Sequence, residues 1–302
     1  MLKHLVLTSA LCISLTACAQ EADKKLDVTP KPEPTPISAE IGMKGEGWRK
    51  ISPENLVLMD TKYGQIVIEL NPEFAPGHVK RFQDMVKARA YNGQEFYRVI
   101  DGFVAQGGIN TIDKKWPPIE IEVEQPLGDG TNIQLLGNDD LFAPEVGFQN
   151  GFAVGLDREI DKKWLLHCPG ALAMARDSDP NTGGTDFYIV LDAQRYLDRN
   201  LTVFGRVISG MQYVQKLQRG DKDIASGVIQ APQKGDQIIS AKLASELEPN
   251  EQPNYEVMHT DTPAFMNKIN SKRVQSDPFF FNTPPQVVDV CDMDVPTELV
   301  DF

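Results

Sequence analysis

Phe96-Tyr97-Arg98-Val99-Ile100-Asp101-Gly102-Phe103-Val104-Ala105-Gln106-Gly107-Gly108 holds two β-rich runs on either side of an Asp-Gly turn. Branched and aromatic residues suit a pleated, half-buried surface, and Asp-Gly suits a tight reversal, so Glu95 to Val99 and Phe103 to Gln106 read as paired strands. Arg98 and Gln106 stand out as the polar members. Taken alone, an arginine in a strand is a surface residue and a glutamine at a strand end is a turn or capping residue.

Toward the N-terminus, Asn55 to Asp60 and Gln65 to Leu70 flank the turn Tyr63-Gly64 and predict a hairpin, with Ile66, Ile68 and Leu70 on one face. Pro76 starts a helix: Val79, Phe82, Met85, Val86 and Ala90 share a side at three- and four-residue spacing, and Asn92-Gly93 stops it. Toward the C-terminus, residues 109 to 167 read as irregular, broken by Pro117-Pro118, Gly128-Asp129-Gly130 and Gly147. Within them Ile119, Ile121 and Val123 alternate with Glu and predict a strand. Ala171 to Ala175, Phe187 to Leu191, Leu201 to Ile208 and Ile238 to Leu243 are further strands, the last closing the sheet. Gly210 to Gln218 is a second helix with Ser209 as its cap. Residues 245 to 302 are rich in Pro and Asn, and Phe279-Phe280-Phe281 with Val287 to Val290 predict that part of this tail packs on the domain. No internal repeat is visible. Many short strands and two helices indicate a mainly β, barrel-like domain.

Three segments resemble the cyclophilin-type peptidyl-prolyl cis-trans isomerases. Ala75-Pro76 through Val86 is similar to the family's first helix. Phe96 to Gly108 resembles its F-H-R-V-I-x-G-F-M-x-Q-G-G run. Gly170-Ala171-Leu172-Ala173-Met174-Ala175, Pro180-Asn181-Thr182-Gly183-Gly184-Thr185-Asp186-Phe187-Tyr188-Ile189, Leu197-Asp198 and Val203-Phe204-Gly205-Arg206-Val207 resemble its core, in order and near family spacing. The resemblance spans about 55 to 245. It implies a closed eight-stranded antiparallel barrel capped by two helices, with a peptide groove on its outer face. The organisation expected is a signal peptide at 1–17, a Pro-rich tether at 18–45, the isomerase domain at 46–245 with an insert at 109–169, and an extension at 246–302. Insert and tail resemble those of a subset of bacterial members.

The chemistry this implies needs no nucleophile, metal, cofactor or proton transfer. The X-Pro amide turns slowly because resonance sets a barrier of about 18–20 kcal/mol. A donor aimed at the prolyl nitrogen stabilises the lone pair that appears as the amide twists. Arg98 matches the family's catalytic arginine, and its guanidinium is a permanently charged donor. Gln106 matches the glutamine that binds substrate backbone. Phe103, Val104, Tyr188, Leu197 and Leu201 match positions lining the proline pocket or its rim; apolar strand residues are otherwise plain core. Ala175 and Arg176 match the segment whose backbone pairs with the peptide. Four positions depart from the family: Tyr97 for His, Val104 for Met, Tyr196 for Trp and Leu201 for His. Asp177-Ser178-Asp179 and Asp186 read either as a preference for basic residues near the proline or as a solvated acidic loop.

The chain has 302 residues, a formal net charge of −13 and a hydrophobic fraction of 41%, ordinary for a soluble globular protein. No cluster of Lys and Arg offsets that charge, which argues against nucleic acid. Lys3 and His4 precede an apolar run, Leu5 to Leu15, too short to span a membrane. Leu15-Thr16-Ala17-Cys18 resembles a bacterial lipobox, so Cys18 is expected to carry lipid. The alternative is an ordinary secretory signal cut near Ala19. Ala19 after the cysteine favours the outer membrane, facing the periplasm. The Pro-rich stretch Lys31-Pro32-Glu33-Pro34-Thr35-Pro36 reads as a tether. After export Cys168 and Cys291 remain, either as a disulfide or as two separate buried thiols. His167 and Cys168 are adjacent and poorly placed as a base–nucleophile pair. The expected partners are proline-containing polypeptide segments and, through Cys18, a membrane; the expected state is a monomer. The rival to an isomerase is a proline-binding chaperone or envelope scaffold on the same frame.

Overall fold

The computed structural model describes residues 47–110, 115–129, 131–137, 139–273 and 277–300. The signal segment, Cys18 and the whole of the tether lie outside them. Leu56–Thr61 and Gly64–Leu70 pair antiparallel from Leu56↔Glu69 to Thr61↔Gly64. Ile66 and Ile68 enter the main core with Phe82, Phe96 and Phe187, while Val67, on the other face, packs with Ile51, Leu56 and Val257. Both faces are covered, so these strands are apolar almost throughout rather than alternating.

The main sheet has nine antiparallel strands in the order Asp236–Gln237, Glu95–Val99, Val104–Gly108, Phe187–Val190, Ala171–Met174, Val203–Ser209, Gly64–Leu70, Leu56–Thr61 and Ser240–Leu243. It is curled but open, which corrects the expected closed barrel of eight strands. The reason lies in one stretch serving both edges. The Ile238 N–H donates to the Gln94 carbonyl at 2.8 Å, and the Ile239 N–H donates to the Asp60 carbonyl at 2.8 Å. The strand expected from Ile238 to Leu243 therefore splits where it passes from one edge to the other.

Three α-helices, not two, occur among the described residues: Pro76–Lys87, Met211–Val214 and Pro263–Arg273. The first buries Val79, Phe82, Met85 and Val86. The second is one turn long, and Gly210, at a φ of 90°, rather than Ser209, occupies its N-cap.

The insert is a second sheet rather than an irregular loop. Its order is Gln125–Pro126, Lys162–Leu165, Phe152–Asp157, Glu145–Gln149 and Gln134–Leu135. Ile119 to Val123 form no strand. The Ile119 N–H donates to the Gly183 carbonyl, and those of Ile121 and Glu122 donate to the Asn181 and Thr202 side chains. In the tail, Tyr255–Met258 pairs with Trp48–Lys50 and Thr297–Leu299. Phe265 and Ile269 of the third helix join Phe148, Trp164, Val288 and Val290 in a second core. A disulfide joins Cys168 of the insert to Cys291 of the tail across 123 residues. Phe279 and Phe281 do not pack as expected; they are 86% and 98% exposed.

Candidate active site

A β-bulge builds the polar half of the site. Glu95 pairs with Gly108 but Arg98 pairs with Gln106, so three steps on one strand match two on its neighbour. An extra residue re-aims side chains. Phe96 points into the core, fully buried, and the next two residues both reach Gln106. Arg98 Nη1 donates to Gln106 Oε1 at 3.1 Å, and Gln106 Nε2 donates to the Tyr97 hydroxyl at 2.6 Å. The Tyr97 hydroxyl donates onward to Asp186 Oδ2 at 3.0 Å. Gly108 ends the motif at a φ of 140°, and a Cβ there would lie 2.3 Å from Asp186 Oδ1. The second glycine of the pair thus makes room for the aspartate.

Arg98 is held at two more points. Its Nε donates to the Ser226 carbonyl at 2.7 Å, and its guanidinium lies 5.5 Å from the centre of the Phe103 ring. Half burial holds its pKa below the ordinary arginine value, with the nearby Tyr97 and Tyr196 hydroxyls acting the other way. An arginine so held still carries its charge at neutral pH. Burial, and then the charge and hydrogen bond of Asp186, push the Tyr97 phenol up, so it keeps its proton.

The apolar half lies beside this. Phe103, Val104, Ala175, Tyr188 and Leu201 share one cluster with Val203. Tyr188 stands opposite Gln106 across the strands and is 4% exposed. Leu197 sits in the short helical turn Arg195–Leu197, outside that cluster, and connects to it through the Leu201 N–H on its carbonyl. The Ala175 N–H is already donated to the Asp186 carbonyl at 2.8 Å, so pairing of a peptide with this residue is left to its carbonyl. The Arg176 guanidinium is tied to the Asn200, Asp177 and Ser178 carbonyls.

Several contributors were not anticipated. Trp116 and Pro118 of the insert wall a cavity of about 400 Å3 that also holds Tyr97, Arg98, Gln106 and Asp186. Beneath the pocket, His167 Nε2 lies 2.9 Å from the Tyr188 hydroxyl and its Nδ1 lies 3.0 Å from Asp198. Arg195 then joins Asp198 to Asp140 of the insert. Tyr188 and His167 were both noted in the sequence, but their link depends on tertiary contact. A larger cavity of about 530 Å3, between barrel, insert and tail, is lined by Cys168 and Cys291 but by none of the expected catalytic or substrate-binding residues. Among the described residues no group of three or more His, Cys, Asp or Glu is placed to hold a metal ion.

The sequence pattern of the cyclophilin type peptidyl-prolyl cis-trans isomerases matches residues 56–243. The chain belongs to this family. Among its cyclophilin relatives, a protein of Brucella suis named a probable peptidyl-prolyl cis-trans isomerase is 33% identical over 194 residues, 64% of this chain and 85% of the relative. Peptidyl-prolyl cis-trans isomerase B of Bacillus subtilis is 33% identical over 157 residues, 52% of this chain and 85% of the relative. The crystal structure of the cyclophilin AquaCyp293 from Hirschia baltica superposes with a TM-score of 0.71 at 28% identity, covering 89% of this chain and 98% of that one. That likeness extends well beyond 56–243, into regions that hold the tail.

Proposed function

We propose that this cyclophilin turns X-Pro bonds by an arginine mechanism and serves protein folding in the bacterial envelope, held to the membrane by lipid on Cys18. The observation that carries the mechanism is the orientation of Arg98 by the Ser226 carbonyl, Gln106 and Phe103 beside an apolar pocket. As the prolyl amide twists, its nitrogen regains a lone pair, and a fixed guanidinium N–H stabilises it. A preorganised donor in a site that excludes water contributes about 2.7–4 kcal/mol. At about 1.36 kcal/mol per decade, that is two to three decades of rate. Gln106 holds the flanking peptide backbone, and the cluster around Phe103 and Tyr188 takes the ring. The export reading rests on the Leu15-Thr16-Ala17-Cys18 pattern and on cysteine usage suited to an oxidising compartment.

Exchange NMR on a short Ala-Pro peptide tests the mechanism, with the protein and its Arg98→Ala variant. Fast cis-trans exchange that falls by about two decades in the variant is the expected result. Peptide bound equally by both proteins, with equally slow exchange, indicates a holding protein instead. Mass spectrometry of the membrane-bound form tests the anchor: a diacylated or triacylated N-terminal Cys18 is expected, and an unmodified chain starting at Ala19 contradicts it.

A further inference from the structure

We propose that Tyr97 and Asp186 are positioning residues that fix which end of the Gln106 amide faces the substrate, through a one-directional relay of hydrogen bonds. The inference rests on the isomerase reading above. Both ends of the Gln106 side chain are engaged: Oε1 accepts from Arg98 Nη1 at 3.1 Å, and Nε2 donates to the Tyr97 hydroxyl at 2.6 Å. A phenol carries one proton. Because Tyr97 gives it to Asp186 Oδ2 at 3.0 Å, its oxygen is left to accept from Gln106. The relay starts at a cation that can only donate and ends at a carboxylate that, when ionised, can only accept. Its polarity therefore has one solution. Asp186 is fixed in turn, because its Oδ1 accepts from the Asn110 N–H at 3.0 Å and from the Thr185 hydroxyl at 3.3 Å.

A free glutamine amide turns end for end at little cost and presents either a donor or an acceptor. Here one N–H and one lone pair remain for the substrate, in an order the relay sets. Half burial of Tyr97, Arg98, Gln106 and Asp186 strengthens each link over its value in water. The bulge between Glu95 and Arg98 is what brings Tyr97 to the same side as Arg98, so the device is built into the backbone.

Asp186→Asn is the discriminating variant, since it keeps shape and volume but places an NH2 on one side. With its oxygen held by the Asn110 N–H, that NH2 donates to Tyr97. The phenol has then lost its acceptor, and donating to Gln106 instead turns that amide and sets an NH2 against Arg98. Tyr97→Phe instead removes the link without reversing it. In the full chain, Asp186→Asn is expected to lower kcat/KM on the Ala-Pro peptide by about tenfold or more, and Tyr97→Phe by about three- to tenfold. The double variant should match Tyr97→Phe, because without the phenol the reversal has no route. The Gln106 side-chain amide protons of the free protein supply a readout that needs no turnover. They are expected to shift strongly in both variants. Asp186→Asn within twofold of the parent with unmoved Gln106 signals overturns the proposal, as do losses that multiply in the double variant. A parent that shows no turnover sinks the isomerase reading while the amide signals still decide the relay. If Asp186→Asn does not fold, Tyr97→Phe with those signals decides it.

Discussion

The Tyr188 hydroxyl is expected to serve stability rather than turnover. His167 is fully buried, with Nδ1 toward Asp198 and Nε2 toward the Tyr188 hydroxyl. A carboxylate accepts only, so Nδ1 carries a proton, and in the neutral imidazole Nε2 then accepts from Tyr188. Tyr188→Phe leaves the ring in the pocket floor but strands a buried acceptor. The variant should lose about 1–3 kcal/mol of stability in urea unfolding and keep kcat/KM within about twofold. An unchanged midpoint would show that His167 finds another donor. At this scale the sequence was most informative where residues are close along the chain. Arg98, Phe103 and Gln106 fall within one motif, and their side chains lie in contact. Tyr97 and Asp186 lie 89 residues apart, and the bulge that turns Tyr97 outward has no signature in the apolar pattern.

Glu122 joins two elements. The helix Pro76–Lys87 has Ala75 at its N-cap and so no side-chain cap of its own. Glu122 of the insert supplies one from outside, accepting from the Gly77 N–H at 3.0 Å, the His78 N–H at 2.9 Å and His78 Nδ1 at 2.7 Å. Burial pushes its carboxyl up, but those hydrogen bonds prevail and hold it below its ordinary 4.5. A carboxyl depressed in the native state binds its proton less readily there than in the unfolded chain. Its contribution is therefore complete above about pH 4.5 and is lost as pH falls through the folded value. Glu122→Gln should cost about 1 kcal/mol at pH 7 and show a shallower loss on acidification, both read from denaturant midpoints. Equal midpoints at pH 7 would show that the cap contributes nothing. The helix itself was legible from its spacing, as were most barrel strands. The sheet of the insert was not, although Asn150-Gly151, with φ of 50° and 85°, is a two-residue hairpin turn between Gln149 and Phe152. Glycines at 147, 151 and 155 masked the alternation. Gly155 leaves room for Trp164, whose Nε1 would lie 2.6 Å from a Cβ at that position. Gly147 and Gly155 are packing positions within strands, and Gly151 forms the turn between them.

At the scale of the molecule, insert and tail share a core of their own. The disulfide between Cys168 and Cys291 ties the tail to the insert within the second core, away from the groove. Closing a loop of that size removes about 4–5 kcal/mol of unfolded-chain entropy in the simplest account. The Cys168→Ser/Cys291→Ser variant should therefore melt lower by roughly 10 °C while its kcat/KM at 25 °C is retained. Loss of turnover in a still-folded variant would mean that the tail shapes the groove. The barrel-like architecture was foreseeable from strand count and family likeness. Its open seam was not, because only backbone hydrogen bonds at Ile238 and Ile239 reveal where one strand becomes two edges.

The most direct test of the arginine mechanism is Arg98→Lys, with the exchange rate of an Ala-Pro peptide and its dissociation constant measured on the same sample. Lysine keeps the charge but not the fork that Ser226 and Gln106 orient. The mechanism predicts a fall in kcat of about one to two decades, with the dissociation constant changed less than about threefold. A rate close to the parent's, or losses in rate and binding that run in parallel, would contradict an oriented guanidinium that acts on the twisted amide.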